Sequence, residues 1–317
     1  MSINISVIIC CFNSVTRIEP TLDHIAKQKL NDLKCELILV DNNCSDGTVK
    51  LVELLWKNHG NPFPLIIVKE KDPGLSFARK TGIFSSNGDV IIFCDDDNWL
   101  NSDYCIKCFN ILKDFPDIGV LGGKSEAVSK IDFPFWFSTY QRYYAVGVQG
   151  VISNYVDDRS YLWGAGMAVR ALEIKKMYNS GFRSILTGRK GLSLSSGEDT
   201  EICKWFLLVG KRLYYSDELV LKHYIDCNRL ELSYLIRLEK AINEASEIIY
   251  FYNIYIFLKN NRKFKNLVFL IKPCVKILIG KANIQDRIHL QLYGITFLKF
   301  DTKIFNLELS IKKFHLS

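Results

Sequence analysis

The first 125 residues repeat one alternation, in which a short apolar run is followed by a longer stretch whose apolar residues recur every three or four positions. The apolar runs fall at 5–11, 36–40, 65–68 and 90–94, and the helical-period stretches at 14–30, 45–56, 74–84 and 103–113. A run that is apolar at nearly every position has no solvent face, so it predicts a strand buried on both sides. Helix-length segments between such strands predict crossovers and a mainly parallel central sheet flanked by helices. In sheets of that kind ligands bind beyond the carboxyl ends of the strands. Three polar groups follow strands here: Asn13, Asp41-Asn42-Asn43 and Asp95-Asp96-Asp97. The fold is expected to bring them to one edge.

Beyond this part the pattern loosens. Residues 131–161 are aromatic without clear period and predict surface loops and short elements. A glycine turn and strand are expected at 163–170 and a helix at 172–178, then a loop of Gly, Ser and basic residues to 197. A helix at 198–208 and short strands at 212–215 and 220–224 complete the reading. Asn13-Ser14 and Ser45-Asp46 read as helix caps, with Val49, Val52 and Leu55 as the inner face of the helix after the second.

Charge divides the chain. The net charge is +7, yet residues 229–317 hold 15 Lys/Arg against 7 Asp/Glu, which leaves the front near neutral. The ten cysteines sit largely in apolar surroundings, where a free thiol packs as a small hydrophobe. Cys105 and Cys108 form a CxxC inside a helical pattern. No second Cys/His pair follows at zinc-ligand spacing and no strand–helix redox context surrounds it, so core packing is expected. The apolar start lacks a basic leader and a small-residue cleavage site, and a reducing cytoplasm is the expected setting.

Four motifs carry chemistry. Three adjacent carboxylates, Asp95, Asp96 and Asp97, repel one another, and a divalent cation such as Mg²⁺ or Mn²⁺ relieves that cost; the plain alternative is a solvated turn or helix cap. Asp41 can accept a hydrogen bond from a base or ribose, or the segment around it serves only as a cap. Arg79, on the helix after Pro73-Gly74, offers a planar donor fork for phosphate, or is simply solvated. Glu198 and Asp199 at a helix start satisfy free N–H groups, or Asp199 acts as a general base.

Taken in order, these segments resemble the family 2 glycosyltransferases. The resemblance covers the front 228 residues and rests on Ser6-Val-Ile-Ile-Cys-Cys-Phe-Asn13, Val40-Asp-Asn-Asn-Cys-Ser-Asp-Gly-Thr48, Gly74 to Gly82, Asp95 to Asp97, Trp163 to Arg170 and Gly197-Glu-Asp-Thr200. It implies a GT-A, Rossmann-like α/β fold over 1–228, with a basic, mostly helical region over 229–317. It also implies inverting transfer from a nucleotide sugar, most simply a UDP-sugar. By the same resemblance Phe12, Asn13, Asp41, Asn43, Arg79 and Asp96 contact the donor, and Trp163, Gly164 and Ala165 lie beside the donor sugar and acceptor. Asp95 and Asp97 hold Mn²⁺ or Mg²⁺ with His223 as a third ligand or a packed histidine, Asp199 is the catalytic base, and Glu198 supports it. The QxxRW motif of processive members does not occur, so one sugar per encounter is expected.

A nucleotidyltransferase would need a glycine-rich phosphate loop after the first strand, where Cys11-Phe-Asn-Ser stands instead. A non-catalytic partner in a polysaccharide assembly complex is the other alternative, against which the intact carboxylates speak. The tail is expected to be helical over 231–259. It and the Lys-spaced apolar stretch 266–280 read either as a peripheral contact with the inner face of a membrane, near a glycan or lipid-linked acceptor, or as packing on the catalytic domain. No nucleic-acid motif accompanies the basic charge.

Overall fold

The computed structural model describes residues 2–186, 188–189, 194–260, 310–311 and 313–316. The front half follows the alternation in the sequence. Strands β1 (Ile3–Cys11), β2 (Cys35–Asp41), β3 (Leu65–Lys69) and β4 (Gly88–Phe93) run parallel in the order β3-β2-β1-β4, joined through helices α1 (Ile18–Ala26), α2 (Thr48–Asn58) and α3 (Leu75–Ser85). Alternate side chains of these strands enter opposite cores. Ile8, Ile38, Val40, Ile91 and Phe93 share one with Ala78 and Ile83 of α3. Val7, Ile9, Leu37, Leu39, Val90 and Ile92 share the other with Leu22 of α1, Trp56 of α2, and Cys105 and Cys108 of α4 (Tyr104–Asp114). Two buried faces explain why these strands are apolar at nearly every position. The CxxC is fully buried and its thiols are free, so it is part of this packing.

The sheet then continues with β8 (Ala168–Arg170) and β9 (Arg212–Tyr224), which fall where strands were expected, and with β5 (Asn98–Leu100), β6 (Ile118–Val128) and β7 (Asn154–Tyr155), which periodicity did not show. β8 pairs antiparallel to β4, and β6 pairs antiparallel to β8 and parallel to β9. The short strands β5 and β7 border β9. Gly122-Gly123-Lys124 breaks the apolar run of β6, which hides that strand from a pattern search. The two strands expected at 212–215 and 220–224 are one, because β6 pairs along both halves across an irregularity between Gly122 and Lys124. Helices α6 (Ala171–Asn179) and α7 (Glu198–Leu208) cover the face shared with α3.

Caps differ in detail. The Ser14 carbonyl accepts from Arg17 and Ile18, but its hydroxyl bonds Asp96 instead of a helix N–H. The Asp46 carboxylate accepts from the Thr48 and Val15 N–H groups, so α2 begins at Thr48 and its buried residues are Thr48, Val52 and Trp56.

The aromatic segment forms α5 (Phe137–Tyr140) and a 3-10 turn at Gln141–Tyr144. Phe137 and Tyr144 join a third core with Tyr234, Leu235 and Leu238 of α8 (Leu232–Asn260). Further along, Tyr252 of α8 donates to Glu201 Oε1 at 2.9 Å, and Phe314 packs edge-on against Trp205 with ring centroids 4.7 Å apart. Among the described residues no helix is long and apolar enough to cross a membrane. The stretch 266–280 lies outside them.

Candidate active site

A cleft of about 1380 Å³ opens at the carboxyl ends of β1, β2 and β4. One side is formed by Phe12, Asn13, Arg17, Asn42 and Gly74. The centre holds Arg79, Asp95, Asp96, Asp97, Glu198 and Asp199, and the far wall is α8 with Arg142, Tyr143 and Tyr144. The strand register accounts for the convergence: Cys11 lies opposite Asp41, so the loops after β1 and β2 leave the sheet at one level, while β4 ends opposite Ile8, further back on the same edge.

The three aspartates have different environments. Asp96 is 8% exposed and accepts a two-pronged bond from Arg17, Nε to Oδ1 at 2.9 Å and Nη2 to Oδ2 at 2.7 Å, besides the Ser14 hydroxyl. Asp97 is equally buried. Its Oδ2 pairs with Arg229 Nη1 at 3.0 Å, while Oδ1 accepts from Asn98 Nδ2 at 3.2 Å and faces His223 Nε2 at 3.4 Å. Burial opposes its charge, but His223 and Arg229 outweigh that and hold its carboxyl well below the usual range. Asp95 is the open one, about a third exposed as a side chain. Burial of its carboxyl raises its pKa, Arg79 opposes that, and Asp97 adds to it.

Arg79 ties this motif to α7. Its guanidinium is 4% exposed, with Nη1 donating to Glu198 Oε1 at 3.1 Å and Nη2 3.7 Å from Asp95 Oδ1. Below it lies the Phe93 ring, 5.3 Å from Cζ to centroid. Burial also dominates at Glu198, whose pKa is pushed up to about 7 against the pull of Arg79, with Asp199 adding to the rise. The second oxygen of Glu198 is buried without a hydrogen-bond partner.

Gly197, at φ 104°, turns the chain into α7 in a left-handed conformation that side chains disfavour, and so sets Glu198 and Asp199 in the first helical turn. Asp199 Oδ2 accepts the Gly164 N–H at 2.7 Å and Oδ1 the Thr200 N–H at 2.7 Å. Gly164 belongs to the turn Trp163-Gly164-Ala165, and Trp163 N–H is held by Gln149 Oε1 at 2.8 Å. The acidic helix start and the glycine turn are therefore joined directly.

The sequence model of glycosyl transferase family 2 matches residues 6–164. The chain belongs to glycosyl transferase family 2. Putative glycosyltransferase EpsH of Bacillus subtilis is 25% identical over 122 residues, 38% of this chain and 34% of that protein. The cholesterol galactosyltransferase of Borreliella burgdorferi is 31% identical over 110 residues, 34% of this chain and 29% of its own length. The matched stretch thus spans about a third of these relatives. Among solved structures, Staphylococcus aureus TarS 1-349 in complex with UDP-GlcNAc aligns with a TM-score of 0.57 at 18% identity, over 81% of this chain and 67% of that one. GalNAc-T7 with UDP, GalNAc and Mn²⁺ aligns at 0.54 and 14% identity, over 71% and 44%. At such identities the likeness is one of fold, and that fold is GT-A.

Within this family 2 chain, most of the residues singled out from sequence line the cleft: Phe12, Asn13, Arg79, Asp95, Asp96, Asp97, Trp163, Gly164, Ala165, Glu198, Asp199 and His223. Asp41 and Asn43 lie outside the lining. The Asp41 carboxylate caps the turn by accepting from Cys44 N–H at 2.7 Å, and Asn43 donates to the Lys71 carbonyl at 3.0 Å. Asn42 faces the cleft and latches the loop before α3, with its amide oxygen accepting from Gly74 N–H at 2.9 Å. The sequence reading missed Arg17 and Arg229, and named Asn42 only as part of the polar group after β2. Arg17 follows Ser14 by three positions in the loop after β1, a signal available in the sequence. For Arg229 no local signal exists, since its partner Asp97 is 132 residues away.

Among the described residues no three His, Cys, Asp or Glu side chains are grouped to hold a metal ion by themselves. Asp95 and Asp97 nonetheless suit Mg²⁺ or Mn²⁺ of the kind bound by one or two carboxylates and completed by substrate phosphates and water. The raised pKa of Asp95 marks a carboxylate that an added cation would favour.

Proposed function

We propose that this chain transfers a single sugar, with inversion, from a nucleoside-diphosphate sugar, a UDP-sugar foremost, to a hydroxyl of a glycan or lipid-linked acceptor in cell-surface polysaccharide synthesis. The observation that carries the reading is the arrangement around Arg79. This one buried guanidinium touches Asp95 of the acidic motif and Glu198 beside Asp199, so a donor-side motif and a candidate base share one cleft.

In this reading Phe12, Asn13 and Asn42 line the nucleotide end, with Asp41 and Asn43 shaping its turn. Asp95 and Asp97 hold Mn²⁺ or Mg²⁺, with His223 beside Asp97. A bound divalent ion supplies positive charge against the departing diphosphate. Asp199 takes the proton of the acceptor hydroxyl as its oxygen attacks the anomeric carbon from the face opposite the leaving group. Gly164 N–H holds one oxygen of Asp199 and orients the carboxylate. Glu198, kept in place by Arg79, adds to the local negative field.

The acceptor would enter along α8, where Leu238, Ile242, Ala245 and Ile249 give the cleft an apolar wall suited to a lipid-linked glycan. A peripheral position at the inner face of a membrane accords with the basic end of the chain and with the absence of a spanning helix among the described residues.

Asp199→Asn tests the assignment. It keeps an oxygen for Gly164 but cannot accept the acceptor's proton, so transfer should fall by at least about 100-fold while donor affinity stays within about two-fold. Joint loss of transfer and donor binding would show that Asp199 is structural.

A further inference from the structure

Arg229 is a buried cation with part of its hydrogen-bonding capacity unused. It sits on the 3-10 turn Cys227–Leu230, between the end of β9 and the start of α8, and is 9% exposed. Its Nη1 pairs with Asp97 Oδ2 at 3.0 Å. The guanidinium carbon lies 6.0 Å from the Tyr144 ring centroid and 5.7 Å from that of Tyr234, and the Tyr144 hydroxyl donates to the Arg229 carbonyl at 2.9 Å. Nε and Nη2 are buried and make no well-formed hydrogen bond, although the Tyr234 hydroxyl interacts with the guanidinium and helps raise its pKa. Arg229 also lines the cleft, next to the acidic motif.

An arginine placed only to neutralise Asp97 would be expected to satisfy its remaining N–H groups, because a buried unpaired donor is costly. Here two nitrogens, with the Tyr234 hydroxyl near the guanidinium, lack a well-formed bond beside the site assigned to a diphosphate. The pair also conflicts with metal binding. A cation brought to Asp97 Oδ2 would stand beside the positive charge of Nη1, and the two would repel. Metal coordination at that oxygen and the Arg229–Asp97 pair therefore oppose each other.

We propose that Arg229 is a diphosphate-binding residue that also guards Asp97. It occupies Asp97 Oδ2 until a nucleoside diphosphate arrives with its divalent ion, and then donates through Nε and Nη2 to the diphosphate oxygens. The inference rests on the donor reading above and goes beyond it, since it couples two binding events. Displacing Arg229 penalises metal binding alone, and the diphosphate offsets that penalty, so each ligand strengthens the other by the same factor.

The test uses the full chain and measures Mn²⁺ binding by electron paramagnetic resonance, with and without UDP, GDP or dTDP. In Arg229→Gln, Mn²⁺ alone should bind roughly ten-fold tighter, while the best nucleotide in the presence of Mn²⁺ should bind roughly ten-fold weaker. Arg229→Lys keeps a cation at Asp97 but lacks the fork. It should leave Mn²⁺ binding alone within about two-fold of wild type and still weaken the nucleotide. Opposite signs in Arg229→Gln support the proposal. A parallel loss of both affinities, or no change in either, overturns it while the donor reading stands. If the wild-type chain binds none of the three nucleotides with Mn²⁺, the donor reading falls and this inference with it.

Discussion

The backbone N–H of Gly164 donates to Asp199 Oδ2 at 2.7 Å, so the glycine turn and the acidic helix start hold each other in position. The same glycine faces Arg79, and a Cβ added there would meet Arg79 Nη2 at 2.5 Å. Since Arg79 is itself fixed by Glu198 and Phe93, it has little room to yield.

Gly164→Ala should therefore disturb activity more than folding. Overpacking of this size costs about 1–3 kcal/mol, while a misplaced base or donor sugar lowers the rate by about 100-fold. Transfer assays beside urea unfolding read both quantities. Wild-type turnover in the alanine variant would show that the Gly164–Asp199–Arg79 cluster has no part in catalysis.

Metal removal should abolish transfer and donor hydrolysis, with recovery on adding Mn²⁺. The two proposed carboxylate ligands should differ in stability. Asp95→Asn, at a side chain about a third exposed, should change stability by no more than about 1 kcal/mol. Asp97→Asn strands the buried Arg229 charge and should cost about 3 kcal/mol. Full activity in EDTA would remove the metal from the mechanism.

Glu201 is a structural counterpart to Asp199 two positions along the same helix. Fully buried, it accepts from Ile185 N–H at 3.0 Å, Leu186 N–H at 2.8 Å, the Tyr252 hydroxyl at 2.9 Å and the Ser184 hydroxyl. Glu201→Ala leaves these donors without their acceptor and should destabilise by about 2–4 kcal/mol. Amide exchange at 184–186 should rise with it. Unchanged exchange there would mean that other contacts hold the segment.

Lys204 is 2% exposed, and its ammonium donates to Ser160 and Asn253, with no carboxylate paired to it among the described residues. Burial lowers its pKa from 10.5 to about 8. Charging is thus harder in the folded state, and the stability tied to this group is full above 10.5 and lost as pH falls through about 8. Between pH 7 and 9.5 the wild type should gain on Lys204→Met by on the order of 1–2 kcal/mol. Parallel thermal-unfolding curves for the two proteins across that range would refute the assignment.

Much of this was legible from residue order. The largely apolar runs ending in Cys11, Val40 and Cys94 require strands buried on both faces, and helix-length spacers require parallel crossovers, so the loops carrying Asn13, Asn42 and Asp95 had to meet at one edge. Local pattern is enough where a segment's surroundings follow from its own period. It was not enough for β6, whose glycines interrupt the pattern, or to show that Asn42 lines the cleft while an Asp41 oxygen accepts from Cys44 N–H. Pairings across long separations were beyond it altogether. Arg79 reaches Glu198 over 119 residues and Arg229 reaches Asp97 over 132. An arginine on a helix or turn has the same local signature whether it ends in solvent or against a buried carboxylate. Only the packed chain, by removing water from these charges, determines which partner each must find.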